Sequence, residues 1–120
     1  MRIDTAHTLT MVGRVRSKKL AGRPRPLPRA GNMVPIGKTL VFKVDACSVA
    51  PPVSFYWKVR NTGPEAVRRN AERGEIRDRG RTIEETTSFD GEHWVQVWAV
   101  KNGVAVATAR QDVTITPKYQ

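Results

Sequence analysis

From Gly37 onward the chain alternates apolar and polar positions with a period of two, the spacing of half-buried strands. TLVFKVDA sets Leu40, Phe42 and Val44 against Val41, Lys43 and Asp45. Pro51-Pro52 breaks the ladder, and VSFYWKVR restarts it with Phe55, Trp57 and Val59 on one face and Ser54, Tyr56, Lys58 and Arg60 on the other. Trp57 is expected in the core. RTIEETT is a shorter, more polar strand and SFDG a turn. EHWVQVWAVK then carries His93, Val95, Val97 and Ala99 on one side and Trp94, Gln96, Trp98 and Val100 on the other. Asn102-Gly103 tolerates positive φ at both positions and predicts a tight hairpin into VAVATARQDVTI. In that second arm Val113 and Ile115 lie on the face opposite to the one Val104 and Val106 set, so a β-bulge is expected at Arg110 to Asp112. Only Pro64 to Glu72 reads as helical, with proline in its first turn. Five to seven short strands and one helical turn predict an all-β fold, an antiparallel immunoglobulin-like sandwich over residues 37–118.

Residues 1–36 follow a different grammar. Leu9, Val12 and Val15 have helical spacing without committing to a helix, and from Ala21 to Gly37 four prolines and three glycines interrupt every pattern. This segment is expected to be a basic, Pro-rich flexible arm. The chain's net charge of +10 is concentrated there. Residues 1–38 hold nine Lys/Arg against one Asp, while residues 39–120 hold twelve against ten acids. Nucleic-acid binding, if any, is therefore expected through the leader. Its Arg-rich start also has the composition of an organellar transit peptide, but RPRPLPR suits a linker better than an amphipathic helix. Cys47 is the single cysteine, so the fold has no internal disulfide and a cytoplasmic protein is expected. No apolar run approaches a membrane span of roughly 18 residues.

Catalytic chemistry finds little support. No HExxH, CxxC or Gly-x-Ser-x-Gly spacing occurs, and Glu84-Glu85, adjacent on a strand, point to opposite faces. No catalytic residue, metal site or cofactor is expected. His93 is either a core imidazole or a donor to a ligand. Trp94 and Trp98 share a face, for which packing of a second sheet is favoured over a stacking platform. Seven arginines from Arg60 to Arg81 form either a solvated charged face or a phosphate fork, and composition does not decide between them.

WKVRNTGPEAVRRNAERGEI followed by TIEETTSFDGEHWVQVWAVKNGVAVATARQDVTI resembles the adenylyl/guanylyl cyclase and SMODS C-terminal sensor domain, the AGS-C family, over about residues 35–116. Trp57, Asn61, Gly63, Ala66, Arg73, Gly74, Glu85, Thr86, Gly91, His93 and Arg110 fall at its signature positions. Glu72 before Arg-Gly, and Phe89-Asp90 before the turn glycine, depart from it. The resemblance implies a module that senses a nucleotide or cyclic oligonucleotide, coupled to a nucleotidyltransferase or effector of a bacterial antiphage system; the synthase itself lies outside these 120 residues. It also implies a ligand site at Arg73, Arg110, His93 and Asn61, with Trp94 against the base. Trp57, Gly63, Gly74, Glu85 and Gly91 would then be structural, Glu85 as an internal partner of Arg73 or Arg110. A rival reading is a protein-interaction sandwich without a small ligand.

Overall fold

The computed structural model describes residues 2–3, 6–17, 25–26 and 33–117. Within them the elements run β1 (Arg2–Ile3), β2 (Leu9–Ser17), β3 (Arg25–Pro26), β4 (Met33–Pro35), β5 (Lys38–Cys47), β6 (Ser54–Asn61), α1 (Pro64–Arg68), β7 (Arg73–Asp78), β8 (Thr82–Thr86), β9 (Gly91–Lys101) and β10 (Val104–Thr116). One sheet has the order β1-β10-β9-β6-β7, with β4 also on β10, and the other β3-β2-β5-β8. Three main strands, β2, β5 and β8, thus face β10, β9, β6 and β7, which is the immunoglobulin-like arrangement. Pairing is antiparallel except where β1 and β4 lie parallel to the two ends of β10.

The alternating faces meet as the sequence predicts. Leu40, Phe42, Val44 and Ile83 of one sheet pack against Phe55, Trp57, Val59, Val95, Val97 and Val113 of the other. Trp57 is buried on β6, and its indole N–H donates to the Gly80 carbonyl at 2.6 Å, so the tip of the ring is satisfied as well as packed. Asn102 and Gly103 have φ of 53° and 75°, as the predicted hairpin requires.

Four expectations need correction. The basic leader is not simply an arm: Leu9–Ser17 is a full strand, antiparallel to β5 along its length. Leu9, Met11 and Val15 reach the core at a period of two, whereas the helical spacing had joined Leu9 and Val15 through Val12. Strand wins because β5 would otherwise lack a neighbour and the core a wall. Most of the expected linker, residues 18–24 and 27–32, lies outside the described residues. The bulge sits between Ala105 and Ala107, not at Arg110 to Asp112. Ala107 and Ala109 pack on the core with Val113 and Ile115, as does Val106 at the bulge, so parity is unbroken from Ala107 to the end of β10. Trp98 does not pack the second sheet but lies on the outer face of its own, with Val100, Ala105 and Tyr56. Finally, the helix stops at Arg68, where the sequence pattern runs on to Glu72.

Deleting residues 1–17 removes β1 and β2 and uncovers the β5 edge. We expect this truncation to lose cooperative thermal unfolding by circular dichroism, whereas a soluble fragment melting like the whole chain would contradict the strand assignment.

Candidate functional site

Packing fails at one end of the sandwich, where β6 ends and β9 begins. A cavity of about 210 Å³ opens there between the sheets. Its walls are apolar, from Leu40 and Phe42 on β5, Val59 on β6, Val95 on β9 and Val113 and Ile115 on β10. Its rim is polar and includes Asn61, Arg73, Glu85 and His93. An apolar chamber with a few convergent polar groups is the usual form of a small-ligand site.

Arg73 opens β7 with φ of 61°, and Gly74 follows at 129°. This left-handed pair, together with the bulge between Lys58 and Arg60, lets the chain rejoin the sheet after α1. The Arg60 guanidinium donates to the Arg73 carbonyl at 2.8 Å and holds the turn. The Arg73 side chain, 41% exposed, donates to Glu85 Oε1 at 2.8 Å, and Arg79 reaches the same oxygen at 3.3 Å. Glu85 is 18% exposed. Two guanidiniums therefore share one half-buried carboxylate across the gap between β7 and β8, the edge strands of opposite sheets. Beside them runs a groove of about 320 Å³ that also includes Glu75 and Arg77, themselves paired at 3.5 Å.

The other rim residues are held by backbone. Asn61 sits opposite His93 in the β6–β9 register, and its amide donates to the Ala71 carbonyl at 2.8 Å, tying down the loop after α1. The Thr62 amide donates to the Glu92 carbonyl at 3.1 Å, and its hydroxyl donates to the same oxygen. That approach needs glycine at 91: with φ of 140°, an added Cβ would stand 2.6 Å from the Thr62 carbonyl oxygen. His93 is 7% exposed, and neither ring nitrogen has a protein hydrogen-bond partner. Burial lowers its pKa below 6.5, opposed more weakly by the Phe89 backbone and the Asp90 charge, so the ring is neutral at pH 7.

The profile of the Adenylyl/Guanylyl and SMODS C-terminal sensor domain matches residues 1–116. The chain belongs to that family. The match includes β1 to β4, in keeping with their place in the sheets. No curated protein matches the chain.

In this sensor domain the expected site residues divide into two groups. Arg73, His93, Asn61 and Trp94 border the cavity, but Arg110 does not. Arg110 lies on the outer face of the first sheet, its guanidinium 4.4 Å from the Trp94 ring centre and its Nε 3.0 Å from Asp112. The shallow groove there brings Glu92 and Asp112 beside that single arginine, an unfavourable balance for phosphate. Lys58 approaches Trp94 at 5.4 Å, so two cations attend the indole. Arg110 thus does not converge with Arg73, and Glu85 partners Arg73 rather than Arg110. Arg68 and Arg69 chelate Glu65, each at 2.5 Å, as surface pairs.

Two contributors escape sequence reading. Arg79, just past the end of β7, lines the same groove as Arg73, Glu75 and Arg77, a spacing of two that the charge alternation concealed. Thr87 is fully buried; its hydroxyl accepts from the Lys38 amide at 2.8 Å and donates to the Pro35 carbonyl at 3.0 Å. Nothing in EETT distinguishes it.

Because the folded protein disfavours protonated His93, stability is full above pH 6.5 and falls as pH drops from there toward the lowered folded value. We expect the melting temperature to decline in that window and His93→Gln to flatten the decline; an identical slope in the variant would rule out this residue as its source. Gly91→Ala is expected to cost about 1–3 kcal/mol through backbone strain, read from denaturant midpoints.

Proposed function

We propose that this sensor domain binds a nucleotide, with phosphate held at the β7–β8 edge, and passes occupancy to a coupled nucleotidyltransferase or effector in antiphage defence. The observation that carries the reading is the pair Arg73 and Arg79, two forked donors converging on one carboxylate beside an apolar chamber. A phosphate can take the place of Glu85 on either guanidinium. The family supplies the sensor role, and the edge supplies the chemistry for an anion. Among the described residues no helix is long and apolar enough to cross a membrane. We place the domain in the cytoplasm, where such second messengers are made.

In this reading Glu85 competes with the ligand. Arg73→Ala is expected to weaken nucleotide binding by about 10- to 100-fold, the worth of a charge-assisted hydrogen bond. Glu85→Gln is expected to strengthen it while costing less than about 1 kcal/mol of stability, since the pair is partly solvated. Isothermal titration with mononucleotides and cyclic di- and trinucleotides, beside denaturant unfolding, checks both. A large stability loss in both variants with no ligand bound by the parent would favour a purely structural ion pair.

A second reading, nucleic-acid binding, moves from the leader as an arm to the outer face of the second sheet. Arg14, Lys43 and Arg81 border a groove of about 330 Å³ there, with Asp45 as its acid. For that role, the double variant Arg14→Ala, Lys43→Ala should lower RNA retention and reduce its salt dependence.

A further inference from the structure

Three features outside the arginine edge invite a role: the chamber behind it, the Trp94 surface and the outer basic groove. The Trp94 ring is already attended by two cations, and the basic groove lacks any buried polar group pointing to a ligand. The chamber has one.

We propose that the chamber takes a single planar heteroaromatic ring, one nucleobase, with His93 at its polar edge. This deepens the nucleotide reading and rests on it for the identity of the ligand. Size decides first. A dry cavity of about 150 Å³ accommodates benzene, and pockets for whole drug-sized ligands begin at about 300 Å³. At about 210 Å³ this chamber suits one ring or a fused pair, not a complete nucleotide and not a cyclic oligonucleotide. A larger messenger could insert only one base, leaving its phosphates at the mouth where Arg73 stands.

Wall chemistry agrees. Phe42, Val59, Val95 and Val113 offer flat apolar surface, and Phe89, also on the wall, meets the His93 ring edge-on at 5.5 Å between centres. His93 is the buried polar group without a protein partner. A neutral imidazole presents one donor and one acceptor, the complement of a base edge that offers both. Leaving such a group unpaired is costly, and a base edge would relieve that cost where ribose or phosphate alone would not reach.

The chain has two histidines, so carbon–proton spectra of the imidazoles give one reporter, His93, and one internal control, His7. The full chain is titrated with the four 5′-mononucleotides, with ribose 5-phosphate and with benzimidazole, using parent and Val113→Phe, which fills the chamber. We expect at least one mononucleotide to shift the His93 signal and to bind about tenfold or more tightly than ribose 5-phosphate, a difference of one base-edge contact. Val113→Phe should abolish that preference, with benzimidazole moving the same signal in the parent alone. Equal binding of mononucleotide and ribose 5-phosphate, with His93 unmoved and Val113→Phe neutral, would overturn the chamber while leaving the arginine edge as an anion site. Benzimidazole binding without any nucleotide binding would keep the chamber as a ring site and overturn the nucleotide reading. No binding of either kind would overturn both. Parent-like chemical-shift dispersion in Val113→Phe separates filling from misfolding.

Discussion

Apolar contact is the main clamp between the two sheets, and it centres on Trp57 and Phe42. A buried tryptophan on the third main strand is a hallmark of immunoglobulin-like sandwiches, where it often lies against an inter-sheet disulfide. Here the neighbouring positions hold Phe42, Val44, Val95 and Val97, and the sole cysteine lies elsewhere at Cys47. Everything else follows from keeping those layers in register. Removing Trp57 would cost on the order of 3–5 kcal/mol, a large fraction of a small domain's stability.

The chamber is where that clamp is left incomplete. Near Trp57 the side chains of both sheets interdigitate; toward Asn61 and His93 the strands are ending and the facing residues no longer fill the gap. The chain closes the opening with polar means, the Thr62–Gly91 approach on one side and the Arg73–Glu85–Arg79 cluster on the other. The cluster joins edge strands of different sheets, so whatever disturbs it acts on both layers.

Much of this was legible in the residues because strand parity is a strong signal wherever one face is buried. Phe55, Trp57, Val59, Val95 and Val97 were placed inward by alternation alone, and Asn102-Gly103 by its turn chemistry. Failures occurred where the physics is not local. Leu9 and Val15 fit a strand through Met11 and a helix through Val12, and only the unpaired edge of β5 chooses between them. In VAVATA the bulge resets the alternation, so that Ala105 joins the outer cluster while Ala107 enters the core opposite Ala99. Of the expected site residues, Arg73, His93 and Asn61 were brought to one cavity by one turn and one hairpin. Arg110 was not, since its side of β10 is set by a bulge five residues earlier. Arg79 was one of seven arginines that composition could not tell apart, and Thr87 had no sequence signal of its own.

Sheet edges carry a hazard of their own, because an open strand is a template for another chain. β10 would be the most dangerous, being long and apolar over Val104 to Ala109. It is flanked at both ends by short parallel pieces from the start of the chain, β1 beside Val104 and Ala105 and β4 beside Thr114 to Thr116. At the opposite margin β7 presents mostly charge, and a bulge twists its pairing. The N-terminal segment therefore covers both ends of that edge, in a region that composition alone marks only as basic.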